Sequence, residues 1–278
     1  MKNDKSAVSH KIARIIVNGN PSEREHKKLL DKFISKNKGK HYEFVITPGG
    51  FLLFWFPEIL DNVEIDIDEI GENELKLLQQ EAEKKIEGFF DKFKESKFQK
   101  LKQIADYITI GIDGWNRKES RNIELIAIYD LKKEIIIRWT GKFYPTERQK
   151  RRLIKINNLN SHFIELNKQK VVILGCHDLH VYNPRGQSIA KLEGYKNKIA
   201  YKFRSKNKKF KPDVILQHPH TTDTPYSWKS SWNVIEKELP SVKHFASAIK
   251  YDNGNEEPRR KLEYVLEKTK KGDVIDFY

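Results

Sequence analysis

Residues 170–186 read KVVILGCHDLHVYNPRG. Val171 to Leu174 are apolar with no polar alternation, the pattern of a strand buried on both faces, as in a parallel sheet with helices on either side. The run meets Gly175 and then presents Cys176, His177 and Asp178 before an Asn-Pro-Arg-Gly turn. In open α/β sheets ligands bind at the carboxyl ends of strands, so a central strand with a reactive tip is expected to point into a site.

Working outward, 213–220, DVILQHPH, is a second apolar strand ending in a His-x-His pair. Between the two, 188–205 reads as helical, and TPYSWKSSWNVIEKELP gives a further helix with Thr224 as cap and Pro225 at its first position. HFASAIKY adds another strand, and a charged helix and DVIDFY follow. Upstream, DYITIGIDG is a strand, IELIAIYD and EIIIRWTGKFY form a hairpin, and PTERQKRRLIKINNLNSHFIELN reads as a helix opened by Pro and Glu. Nearer the start, KIARIIVNG is a strand, SEREHKKLLDKFISKN a helix, and HYEFVITPGGFLLFWF two strand-like runs joined by a Pro-Gly-Gly turn. TPGG lacks the spacing of a phosphate-cradling loop and reads as that hairpin's turn. Apolar spacing of three and four predicts one long helix over 72–105. The expected organisation is a small α/β N-terminal module over 1–75, a connecting helix over 76–105 and an α/β catalytic module over 106–278. The expected fold is α/β with a mixed sheet and a ribonuclease H-like or Rossmann-like three-layer core.

A hydrophobic content of 38% with 11% aromatics supports a packed core over the 278 residues. No apolar run reaches the roughly 20 residues of a membrane span, and residues 1–19 lack a secretory signal pattern, so a cytoplasmic protein without a membrane partner is expected. The single cysteine excludes an intrachain disulfide. Lys and Arg number 53 against 39 Asp and Glu, a formal charge of +14 that favours anionic partners, nucleic acid first; a protein partner or a second copy is also compatible. The charge is unevenly placed. Residues 57–75 hold eight acids and no Lys or Arg, whereas 202–211, KFRSKNKKFK, hold six basic residues with two Phe between them.

The order strand, hairpin pair, helix, strand, helix, strand, helix from residue 106 resembles the ribonuclease H-like superfamily over about residues 106–240. The resemblance implies two divalent metals, magnesium or manganese, held by Asp113 in IGIDG, Glu147 in PTERQ, Asp178 in GCHDL and Asp223 in HTTDT, since hard cations prefer carboxylates and stabilise both oxygens of a phosphodiester displacement.

The histidines offer a separate metal set. His218 and His220 lie two apart on a strand and so share a face. If the strands 171–178 and 213–220 are parallel neighbours, Asp178 joins them, a donor set suited to zinc or manganese. Cys176 suggests a different chemistry, a thiolate nucleophile whose base would be His218 or His220 with Asp178 or Asp223 as orienter; on a regular strand His177 would face away. Cys176 can equally be a small buried hydrophobe. Lys142, Arg185, Lys202 and Arg204 are candidates for binding substrate phosphate. The leading expectation is a metal-dependent nuclease, of a prokaryotic defence or mobile-element system. A Cys-His hydrolase and a non-catalytic nucleic-acid or partner-binding protein are the alternatives.

Overall fold

The computed structural model describes residues 8–60, 63–118, 120–184, 195–222, 225–251 and 260–278. Two sheets pack face to face with helices outside each. The first sheet contains β1 (Val8–Val17), β2 (Lys40–Ile46), β3 (Leu52–Trp55), β4 (Ala105–Trp115), β5 (Asn122–Asp130), β6 (Ile135–Gly141) and β7 (Leu153–Ile154). The second contains β8 (Phe163–Leu166), β9 (Gln169–Gly175), β10 (Val214–His218) and β11 (His244–Ser247). One residue beyond β11 the chain leaves the second sheet, and β12 (Ile249–Lys250) pairs in parallel with the end of β1. Near the C-terminus, β13 (Lys270–Lys271) returns to the second sheet beside β11, while β14 (Val274–Phe277) lies along β1.

The sheets meet through Ile12, Phe44, Ile46, Ile126 and Ile128 on one side and Val171, Ile173, Val214 and Leu216 on the other. Against the outer face of the first sheet lie α1 (Glu23–Lys36), α2 (Glu72–Phe90) and α3 (Glu95–Ile104), contributing Phe33, Ile86 and Leu101. Outside the second lie α4 (Tyr195–Phe210) and α5 (Tyr226–Glu238), with Phe203 and Trp232 fully buried and Trp232 stacked on Phe245 at 4.1 Å between ring centroids. A short α6 (Leu262–Lys268) seals β1 and β12 through Val265. Burying each such side chain contributes about 1.5–3 kcal/mol.

Several expectations change here. The three antiparallel strands β4, β5 and β6 and the parallel pair β9 and β10 belong to different sheets, whereas the ribonuclease H-like and Rossmann-like readings put them in one. Four layers therefore replace three. The strands expected within 1–75 hydrogen-bond into the same sheet as residues 105–141, β2 to β4 and β1 to β14. The span 72–105 is broken at Asp91–Lys94 into α2 and α3. Residues 146–168 are short 3₁₀ turns and strands rather than a helix: β8 folds back on β9 through Asn167 and Lys168, both with φ positive (46° and 63°), a tight turn that Asn favours. No helix among the described residues is long and apolar enough to cross a membrane.

TPGG is not a hairpin turn. β2 and β3 both run parallel to β4, Ile46 opposite Thr109 and Leu52 opposite Ile112, so residues 47–51 are an excursion between two lengths of one strand line. The Thr47 hydroxyl accepts from Gly111 N–H at 3.2 Å and donates to Thr109 O at 3.2 Å, replacing lost ladder bonds. Gly111 is required beneath it, since a Cβ there would stand 2.3 Å from Pro48 O.

Candidate active site

The carboxyl ends of β2, β4, β6, β9 and β10 meet at one end of the sheet sandwich, opposite the first residues of β5. A cleft of about 360 Å³ opens there, lined among others by Asp113, Glu124, Lys142, Cys176, His177 and His220. Two short connections carry the second sheet to the first. His218 Nδ1 bonds Thr47 O at 2.6 Å, and Gly49 N–H donates to Pro219 O at 3.1 Å. The excursion after β2 is thus the wall on which the His-Pro-His segment rests. A Cβ at Gly49 would come within 2.8 Å of His220 Cε1.

Asp113 and Glu124 are directly opposite one another in the antiparallel β4–β5 ladder, on the face turned toward the second sheet. Like charges so placed repel. Two cations relieve them. His220 Nε2 bonds Asp113 Oδ2 at 2.7 Å, with Nδ1 3.6 Å from Glu124 Oε2. The Lys142 ammonium, 1% exposed, donates to Glu124 Oε1 at 3.0 Å and to Gln149 Oε1 at 2.6 Å, while Gln149 Nε2 also bonds Glu124 at 2.7 Å. Burial holds Asp113 above the ordinary carboxylate range. At Glu124 burial pushes the same way, but His220 and Lys142 outweigh it and hold the group below that range. Burial disfavours the His220 imidazolium, yet the two carboxylates raise it well above its usual value.

Cys176 follows the last residue of β9 and begins a turn that leads into 3₁₀ backbone over Asp178–Tyr182. The strand stops at Gly175, so the regular geometry under which His177 would face away is not present, and His177 lines the cleft with the thiol. Sγ accepts from the His220 backbone N–H at 3.4 Å, and His177 and His220 both line the cleft beside it. Burial by itself raises a thiol; the positive potential of His177 and Lys142, together with the nearby His220, outweighs it and holds Cys176 well below its ordinary range. Trp228, edge-on to the His177 ring at 5.8 Å, closes that side.

Asp178 is completely buried, with its carboxylate turned into backbone. Oδ1 accepts from Phe143 and Tyr144 N–H at 3.1 and 2.9 Å, and Oδ2 from Gly175 N–H at 2.7 Å. Burial pushes it up to about 7 against those three donors. It ties the segment bearing Lys142 to the end of β9, and Gly175 permits the approach, since a Cβ there would stand 3.0 Å from Lys142 Cα.

The structure brings together Asp113, Lys142, Cys176 and His220 from the sequence candidates. It does not bring in Asp178, whose oxygens are spent on backbone, nor Glu147, which is 71% exposed and paired with Lys150 and Lys196. His218 is buried and bound to Thr47, and burial lowers it to about 4, so it stays neutral. Arg204 is paired with Glu238 on α5, and Lys202 is exposed on α4. Asp223 and Arg185 lie outside the described residues. The metal expectation is thereby corrected: Asp178 and His218 are committed to backbone, Asp113 and His220 to one another and Glu147 to lysines, and among the described residues no group of three His, Cys, Asp or Glu could hold an ion. Glu124, Gln149 and His177 were missed as functional groups. The signal for Glu124 was available, a carboxylate set among the apolar residues of NIELIAIYD.

No family model and no curated protein matches the sequence. Among solved structures the chain is similar to glutamine-dependent NAD+ synthetase from Acinetobacter baumannii (TM-score 0.47, 13% identity), covering 86% of this chain and 38% of that one. The chain thus spans well under half of the synthetase's length. It is also similar to an amidase of the nitrilase superfamily from Nesterenkonia AN1, studied as a cysteine-to-alanine variant (TM-score 0.47, 9% identity, 89% of this chain and 79% of that one). A further structure of the Nesterenkonia sp. AN1 amidase, with the acetamide moiety of fluoroacetamide added covalently at its active-site cysteine, gives a TM-score of 0.48 at 11% identity over 91% of this chain and 81% of that one. These are amidases and a synthetase, not ribonuclease H-like nucleases. With the split into two sheets, the nuclease and defence-system expectations fall together with the metal.

Proposed function

We propose that the chain is a cysteine-dependent hydrolase that splits a small amide by acyl transfer. The observation that carries this is the Cys176 thiol, lining an open cleft and held well below its ordinary range by Lys142, His177 and His220. A thiolate is the competent nucleophile, and such microenvironments mark reactive rather than packing cysteines. Sγ attacks the carbonyl carbon to form a tetrahedral adduct, and the Lys142 ammonium, which lines the same cleft, is a cation for the developing oxyanion. Collapse breaks the C–N bond. The amine departs with a proton from the His220 imidazolium, leaving a thioester on Cys176. Water then adds to the thioester, giving its proton to neutral His220, and the carboxylic acid and the thiolate are released. An amine cannot leave without a proton, and a histidine kept protonated by Asp113 and Glu124 suits that requirement better than it suits an ester.

Ammonia or amine release from a panel of small carboxamides is the test, with the parent and Cys176→Ala compared. Cys176→Ala should lose about 10³-fold or more in kcat. Iodoacetamide should block the parent, EDTA should not, and mass spectrometry should find the acyl group on Cys176. Turnover retained by Cys176→Ala, or abolished by chelator, would overturn the reading.

A further inference from the structure

On a different part of the surface, where α4 crosses the β8–β9 hairpin, a pocket of about 340 Å³ is lined by Asn160, Phe163, Lys170, Lys206, Lys209 and Phe210. We infer that it binds a phosphorylated nucleobase, either a free nucleotide or one residue of a single strand. The floor is aromatic. Phe163 and Phe210 meet edge to face with centroids 5.2 Å apart, and both are only partly buried. The rim is cationic: Lys170 Nζ lies 5.7 Å over the Phe210 ring, and Lys206 is steadied by Asn160 Oδ1 at 2.7 Å.

Helical geometry sorts the basic residues of 202–211. Arg204 and Lys208 turn to Glu238, where their charge is spent. Lys206 and Lys209, three apart, share the other stripe with Phe210 and face the pocket, and Phe203 is core. Asp213 is engaged by Lys170 N–H and Lys243, and Glu165, opposite Lys170 in the β8–β9 ladder, is not among the lining side chains. Flat apolar rings flanked by lysines are the pairing that takes a base on the ring and phosphate on the ammonium groups, and the volume lies at the small-ligand end of binding cavities.

The full chain is titrated with fluorescent oligo(dT), an abasic oligonucleotide of equal length, AMP and polyglutamate across a salt series. Oligo(dT) should bind more tightly than the abasic strand, and polyglutamate should bind least. Lys206→Gln with Lys209→Gln should flatten the plot of log affinity against log salt by about 1.4, at about 0.7 per phosphate contact on single strands. Phe210→Leu should weaken oligo(dT) about tenfold, one stacked base, and leave the abasic strand unchanged. Binding of AMP alone would place the ligand among free nucleotides; binding of oligo(dT) alone would place it in a strand. Absence of binding, equal affinity for abasic and base-bearing strands or for polyglutamate, or an unchanged salt slope in the exposed lysine pair would overturn the inference. Loss of Cys176 should not affect any of these affinities.

Discussion

Cys176 and Asp178 stand two residues apart and do unrelated work. The thiol is wanted for its charge; the carboxylate is wanted for three backbone N–H groups. Cys176→Ala should therefore end turnover and leave the urea unfolding midpoint nearly unmoved. Asp178→Asn should do the reverse first. The amide turns an NH₂ toward donors, at least one buried N–H loses its acceptor, and each such loss costs about 1–3 kcal/mol. A stability loss of about 2–4 kcal/mol is expected by urea titration, with activity falling because the Lys142 segment is no longer tied to β9. An Asp178→Asn protein that unfolds at the parent's midpoint would show the three bonds to be dispensable. Glu147→Gln, once a candidate ligand, should leave kcat unchanged, since the exposed carboxylate is paired with Lys150 and Lys196 away from the cleft.

At the level of elements, the β4–β5 register creates the site by forcing Asp113 and Glu124 together, and the excursion after β2 holds His220 between them. Gly49→Ala tests this. The new Cβ would meet the His220 ring at 2.8 Å and the His218 carbonyl at 2.9 Å, and the second contact is backbone that cannot rotate away. Overpacking of this kind costs about 1–3 kcal/mol, and His220 should be displaced from Asp113 with a fall in kcat larger than the stability change implies. The control is Gly88→Ala in α2, where nothing lies within 4 Å of the added Cβ. It should add about 0.5–1 kcal/mol of stability by helix propensity alone and leave activity as it was. Equal kinetics in the two variants would remove the role assigned to the excursion.

For the whole molecule, joining two sheets at one end sets the pH behaviour of catalysis. Activity needs the Cys176 thiolate and the His220 imidazolium together. A lowered thiol makes the acid limb fall below the ordinary cysteine range, and a raised histidine carries the alkaline limb above the ordinary 6.5. The pH range in which both forms coexist is therefore wider than the ordinary values would allow. Glu124→Gln removes one of the two anions that favour the imidazolium, so His220 should lose its proton at lower pH and the alkaline limb of kcat/KM should move toward acid. An alkaline limb that stays in place would mean that some group other than His220 carries that proton.

The sequence by itself determined the apolar strands, the helices with clear 3.6-residue spacing and the β5–β6 hairpin, because period and turn chemistry are local properties. It also marked Cys176, Lys142, His220 and Asp113 as residues of interest. Which of them would meet was beyond it. Strand order does not say how many sheets the strands form, so β4–β6 and β9–β10 read naturally as one layer, and Asp178 then looked like a ligand beside the histidines. Only the packing of two sheets, with TPGG as a bridge rather than a turn, turned Asp178 into backbone and brought His220 across to Asp113. His177 came to line the cleft with the thiol because the strand stopped at Gly175. That stop depends on the Lys142 segment, 30-odd residues earlier in the chain, which packs against Gly175 and gives two of its backbone N–H groups to Asp178. A contact between distant segments is set by the burial of whole faces, and no window of the sequence contains it.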